Sequence, residues 1–331
     1  MDKRYLYLSK QNVHNIIYKN YQMVIDAVED SLSMLERGTT RQPDKISQIF
    51  DKKYQNRINC MPSTLNEIQT CGLKWVSVFP SNQEKGLSNV EGFSLLSDTV
   101  TGRLKCFMEA TECTSFRTAA VGAIAVKYLA RKNSASIGFI GAGEESRAHL
   151  KMIKFVCPEI KTCYVSSRTE KRTKLFIDEL KNDYTDIRFI DCKNDYEAAV
   201  TNADILVTAI SSQTQVLKAK WIRQGMFYIH VAGLEDEFEV AKKADKIVCD
   251  SWECVKHRSQ TIAQMYQAGL LKEQDIYGDM GEIILGKKNG RESNEEFIYF
   301  NSVGLSVEDV LLCNRIYEKA KKLGIGTWIE K

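Results

Sequence analysis

The sequence predicts an α/β protein: a doubly wound parallel sheet in the second part of the chain, and a discontinuous α+β domain built from the two ends. Three observations carry this expectation. From about residue 136, short apolar runs recur as "SIGFIGAG", "TCYVSS", "IRFIDC", "DILVTAI", "MFYIHVAG" and "DKIVCDS". Amphipathic stretches such as "TEKRTKLFIDELKND" separate the first of them. Apolar strands of that kind, alternating with helices, need cover on both faces, which a parallel sheet between helical layers provides. Finally, residues 1–130 carry a different pattern, with alternating strands "GLKWVSVFP" and "EGFSLLSD" and a long helix "CTSFRTAAVGAIAVKYLARK". The last helix, "VEDVLLCNRIYEKAKKL", follows the sheet block and is expected to pack back on the first domain. The boundaries read from the sequence are 1–130, completed by 304–331, and 131–303.

A chain of 331 residues can bury a large core. Hydrophobic residues are 44% and charged residues 27% of it, ordinary for a soluble domain. A net charge of +3 gives no reason to expect nucleic acid or an anionic membrane as partner. The ten cysteines are scattered without a CxxC pair, and no apolar run has the length of a bilayer span. Reduced thiols in a cytoplasm are expected. The four histidines include no HxxxH pair, so no zinc site is expected.

The chemistry begins at "SIGFIGAGEESRAHL", residues 136–150. Gly141 permits a tight turn after a strand, and Gly143 lets a main chain approach a pyrophosphate. The helix that follows offers unpaired N–H donors. Ser146 stands where the last glycine of such a turn usually sits and is small enough for close strand–helix packing. The sheet is therefore read as a Rossmann-type dinucleotide site rather than as a purely structural turn. The next strand ends "YVSSRTEKR", with no acid before Glu170 to hold a ribose 2′-hydroxyl. Ser166, Ser167, Arg168 and Thr169 offer hydroxyls and a cation to a 2′-phosphate, so NADP(H) is expected over NAD(H). The alternative is that Arg168 and Lys171 form a solvated first turn.

Several stretches together resemble the ornithine cyclodeaminase/μ-crystallin family: "CGLKWVSVFPSN", "MEATECTSFRTAAVGAIAVKYLARK", "IGFIGAG", "NADILVTAISS" and "FNSVGLSVEDV…GIGT". The resemblance runs over nearly the whole chain. It implies a homodimer whose first domain carries substrate groups and the subunit interface, while the Rossmann domain binds NAD(P). Within the family, Lys45 in "RQPDK", with "RINCMPS", "GLKW" and "SWECVKHRSQTI", is similar to the N-(2-amino-2-carboxyethyl)-L-glutamate dehydrogenases. That similarity implies oxidative cleavage of an amine-linked conjugate to 2-oxoglutarate and 2,3-diaminopropionate, as in siderophore biosynthesis. Other readings are ornithine cyclodeamination to proline and ammonia, NADPH-driven ketimine reduction, and a binding protein without turnover.

Chemistry at the C–N bond of an amino acid or imine needs a cationic clamp on the α-carboxylate and a group that manages protons on nitrogen or water. Arg117, in the apolar "SFRTAAVGAIA", is the first candidate clamp, the alternative being a structural ion pair. Lys74 is flanked by Leu73, Trp75 and Val76. An apolar setting would lower its pKa, although alternation alone could leave it on a wet face. By the resemblance Lys74 is catalytic and Lys45 grips a second carboxylate. The loop after "MFYIHVAG" lies at the carboxyl end of a strand, where ligands collect. The resemblance puts the acid/base group there, at Glu235 or, with a one-residue slip, Asp236; a solvated acidic helix start is the alternative. "TAISSQ" is expected along the dinucleotide, with Ala209 and Ser211 in contact and Ser212 nearby. "NSVGLS" would bring Ser302 to the cofactor and Gly304 and Leu305 to the substrate. His230, on an apolar strand, reads as a core histidine.

Overall fold

A computed structural model describes residues 4–51, 54–210 and 214–330. They divide into two compact units: residues up to Arg117 together with those from Gly304, and Thr118–Val303.

The first unit starts with β1 (Arg4–Leu8), α1 (Lys10–Ile17) and α2 (Tyr21–Glu36). The strands β2 (Thr40–Arg41), β3 (Ile46–Ile49), β4 (Arg57–Leu65), β5 (Thr70–Val78), β6 (Val90–Asp98) and β7 (Leu104–Glu109) follow, and then α3 (Thr111–Leu129) begins. Strands β4 to β7 form an antiparallel meander, and burial along β4 and β5 alternates as a sheet with one covered face requires.

The second unit takes in the rest of α3. It continues through β8 (Ser136–Ile140), α4 (Glu144–Val156), β9 (Thr162–Ser166), α5 (Glu170–Leu180), β10 (Arg188–Asp191), α6 (Tyr196–Thr201) and β11 (Ile205–Thr208). After these come β12 (Phe227–His230), α7 (Phe238–Lys242), β13 (Lys246–Cys249), α8 (Trp252–Val255), α9 (Thr261–Gln267), β14 (Gly278–Asp279), α10 (Met280–Ile284) and β15 (Ile298–Asn301). All eight strands are parallel, in the order β10-β9-β8-β11-β12-β15-β13-β14. Strands β11, β12, β13 and β15 are buried at every position, which is why they read as unbroken apolar runs. The order reverses at β8, whose neighbours are β9 and β11. That is the switch point at which open α/β sheets bind ligands.

The chain then returns to the first unit with α11 (Ser306–Leu323) and β16 (Thr327–Glu330). Strand β16 pairs antiparallel with β1, completing the sheet β16-β1-β7-β6-β5-β4-β2 with β3 on β4. Helix α11 lies on β4, β5 and β6 and is buried almost all round through its first three turns. Gly72 makes this approach possible: a methyl there would come 2.7 Å from Leu95 O and 3.1 Å from the Val310 side chain.

The division between units falls inside α3, at Arg117/Thr118, rather than near residue 130 where the sequence pattern changes. The apolar remainder of α3 is core of the second unit. Gly122 there lies so close to His149 of α4 that a methyl would come within 2.9 Å of the imidazole. No helix among the described residues is long and apolar enough to cross a membrane.

Candidate functional site

Pleating decides the first candidate. Thr70, Gly72, Lys74 and Val76 are the buried positions of β5, while Trp75 is 44% exposed on the opposite face. Lys74 is therefore on the covered face, 1% exposed, with the uncharged Met61 and Ser94 as cross-strand neighbours. Its Nζ donates to Asp309 Oδ1 at 2.7 Å. Arg117 Nε donates to the same oxygen at 3.0 Å, and Arg117 Nη1 donates to Glu308 Oε2 at 3.1 Å. All four charged side chains are buried. Burial, and next the Arg117 guanidinium, push the Lys74 ammonium below its ordinary range, against the support of Asp309.

The two acids come from the first turn of α11, where anions are favoured by the helix dipole and Glu308 also accepts from Leu305 N. Gly304 enters the same arrangement, with φ at +74°. A methyl there would sit 2.1 Å from Arg117 Nη1, so glycine is what lets the guanidinium lie against the main chain. Lys45, half-buried, is in the loop between β2 and β3. That loop is tied to α11 through Gln42, whose Oε1 accepts from Val307 N at 3.1 Å and from Ser306 Oγ at 3.2 Å.

In the second unit the glycine turn occupies the switch point. Gly141 has φ +110°, and a methyl there would come 2.5 Å from Ala209 O, so the ends of β8 and β11 touch. Gly143 is the N-cap of α4, with open space where a side chain would be. Ser146, on the first turn of α4, is fully buried, and its Oγ has no hydrogen-bond partner among the described residues. A cradle that only glycine leaves open and an unanswered hydroxyl on the first helical turn fit the pyrophosphate of a dinucleotide.

At the end of β9, Ser166 Oγ donates to Phe139 O at 3.2 Å and Ser167 Oγ to Thr169 O at 3.4 Å. The first ties the end of β9 to β8, and the second closes the local turn. Arg168 and Thr169 are exposed beyond them, and Arg168 has no ion-pair partner among the described residues. Ser302 is buried, with its Oγ donating to Asp250 Oδ2 at 3.1 Å. Ser211 and Ser212 lie outside the described residues.

The two candidate acids of the loop after β12 are buried. Glu235 is fully buried and accepts from Ile210 N at 2.6 Å, Thr208 Oγ1 at 2.7 Å and Ala232 N at 3.1 Å. It straps together the chain just beyond β11 and β12, where the strand ladders end and backbone donors need partners. Asp236 is equally buried and accepts from Thr261 Oγ1 at 2.7 Å, with Tyr299 and Tyr228 hydroxyls at 3.3 and 3.4 Å. Burial raises its pKa. His230 closes the network: its Nδ1 is 2.8 Å from Tyr299 Oη and its Nε2 2.7 Å from Gly233 O. Both carboxylates thus sit inside a core hydrogen-bond network, in which Asp236 Oδ2 is buried without a hydrogen-bond partner among the described residues.

The residues that sequence reasoning missed are Glu308 and Asp309. Two consecutive acids on the first turn of a helix, directly ahead of the apolar Val310, Leu311 and Leu312, were the available signal, but at a helix start such acids also read as solvated dipole partners.

The ornithine cyclodeaminase/mu-crystallin family profile matches residues 7–324, and the chain belongs to that family. It is 34% identical to an alanine dehydrogenase of Archaeoglobus fulgidus, over 98% of both chains. It is 28% identical to the N-((2S)-2-amino-2-carboxyethyl)-L-glutamate dehydrogenase of Staphylococcus aureus, over 99% of this chain and 98% of that one. Among solved structures, the Thermococcus litoralis Δ1-pyrroline-2-carboxylate reductase in complex with NADH and L-proline superposes with a TM-score of 0.91. Identity there is 34%, covering 97% of this chain and 99% of that one.

Proposed function

We propose that this protein is an NAD(P)-dependent oxidoreductase acting on the C–N bond of an α-amino acid or its imine, with Lys74 and Arg117 as the substrate-facing groups. One observation carries the reading: the two cations converge on a single buried carboxylate oxygen of Asp309. The same pair of charges suits the α-carboxylate and the adjacent nitrogen of an amino acid. A bound nicotinamide dinucleotide supplies the two-electron acceptor or donor. Arg117, braced by Glu308 and Asp309, anchors the carboxylate. Lys74, whose ammonium is destabilised by burial, takes a proton from the substrate nitrogen in the oxidative direction and returns it in the reductive one. Burial of the cluster keeps bulk water from competing for those protons.

For the substrate we favour a compact amino acid or cyclic imine with one α-carboxylate, supported by the relatives at 34% identity. The carboxyethyl-glutamate conjugate is the second reading, supported by the similarity to the Staphylococcus aureus enzyme and by Lys45 in a loop tied to α11. For the cofactor we favour NADP(H), because the only charged group just past β9 and ahead of Glu170 is the exposed Arg168. A homodimer is favoured because the uncovered face of the first sheet carries Trp75 and Phe93, 44% and 38% exposed, the latter stacked on Phe107.

The test follows absorbance of the reduced nicotinamide with alanine, proline, ornithine, cyclic imines and the conjugate, each with both dinucleotides. Turnover of a small amino acid or imine with net redox change is expected. Proline and ammonia formed from ornithine without net reduction would make the chain a cyclodeaminase instead, and turnover of the conjugate alone would establish the second reading.

A further inference from the structure

We propose that Asp309 is a positioning residue that holds Lys74 and Arg117 in register and sets the pH at which Lys74 gives up its proton. The inference rests on the proposed role of Lys74. A single oxygen, Oδ1, takes both cations, at 2.7 and 3.0 Å, and Asp309 is 1% exposed. The other oxygen, Oδ2, is buried without a hydrogen-bond partner among the described residues. A carboxylate placed for capping alone would bond to its own helix terminus. That task falls to Glu308, through Leu305 N.

The charged groups facing Lys74 are Arg117 on α3 and Glu308 and Asp309 on α11; its neighbours on β4 and β6 are uncharged. Of these, Asp309 is the one bonded to Nζ. Its charge favours the ammonium, while Arg117 and burial oppose it. Removing that charge while Arg117 stays in place leaves Lys74 easier to deprotonate. The step affected is a proton transfer: the N–H bond of the substrate ammonium breaks as an N–H bond forms on neutral Lys74, with no change of oxidation state.

The experiment uses the full chain with Asp309→Asn. The Lys74 side chain is followed by 13C/15N NMR without substrate, its signal assigned by loss in Lys74→Arg. The pH dependence of kcat/KM is measured in parallel in both directions. The Lys74 titration should move down by about one unit or more, the size of effect a contacting opposite charge has on a buried group. The acid limb of the oxidative profile and the basic limb of the reductive profile should move with it. A folded variant in which Lys74 titrates as in the parent overturns the proposal. If the titration moves and neither limb does, Asp309 still governs Lys74, and it is the proton-transfer role of Lys74 that fails. Should Asp309→Asn not fold, Asp309→Glu serves. It should keep the Lys74 titration near the parent's while raising KM severalfold, because the longer side chain displaces Arg117. An unchanged KM in that variant overturns the positioning role.

Discussion

Replacing Gly304 by alanine adds one methyl group, yet it should disable the site. The backbone there has φ +74°, a conformation that costs an L-residue about 1 kcal/mol or more. The new methyl would stand 2.1 Å from Arg117 Nη1 and 2.9 Å from Cζ. A guanidinium at the end of a flexible side chain could ordinarily swing aside. Here Nε and Nη1 are bonded to Asp309 and Glu308, both buried, so moving it leaves carboxylates without their cation. Breaking a buried pair from one side costs roughly 3–5 kcal/mol. We expect Gly304→Ala to lose about 4 kcal/mol of stability in urea unfolding. We also expect kcat/KM for the amino acid or imine to fall roughly 10²-fold, since each 1.36 kcal/mol of lost transition-state contact is tenfold. Dinucleotide affinity, which depends on the second unit, should stay within about twofold. In an Arg117→Ala background the same substitution should cost little further activity, because the two act through one guanidinium. A Gly304→Ala protein with parental kcat/KM and a stability loss no larger than about 1 kcal/mol of backbone strain would refute the argument.

Three further outcomes follow from the second unit. Gly143→Ala meets open space in the protein and should leave the melting temperature unchanged while weakening dinucleotide binding at least tenfold by fluorescence titration, because the methyl enters the cradle. Arg168→Asp should reverse the preference from NADP(H) toward NAD(H); equal changes in both affinities would argue that the cation is merely solvated. Burial depresses the pKa of His149 from 6.5 to about 4. Between those values the unfolded chain holds the extra proton, so folding stability falls as pH is lowered through that window and is restored above it. The full effect is about 3 kcal/mol. Denaturant titrations of His149→Leu should show a shallower loss of stability from pH 6.5 to 4 than the parent; parallel curves would place the pH sensitivity elsewhere.

Legibility in the sequence followed the range of the interactions. The glycine turn is local: a buried strand, a residue needing positive φ and a helix start lie within fifteen letters, and the parallel sheet follows from runs that must be covered on both faces. Lys74 was half legible. The two-residue period of β5 puts it on one face, but which face is buried is settled by α11, more than two hundred residues later. The acids at 235 and 236 read as loop acids because a carboxylate run gives no sign that Thr208, Ile210, Thr261 and Tyr299 will close around it.

By itself, then, the order of residues determined the fold class, the place of the dinucleotide turn and the candidacy of two cations, since each depends on neighbours along the chain. Tertiary structure alone decided that Arg117 and Lys74 share one oxygen of Asp309, that Gly304 makes room for them, and that Glu235 is a strap. Those pairings join side chains far apart in sequence, and burial makes charges that would be solvated on separate elements depend on one another for their state.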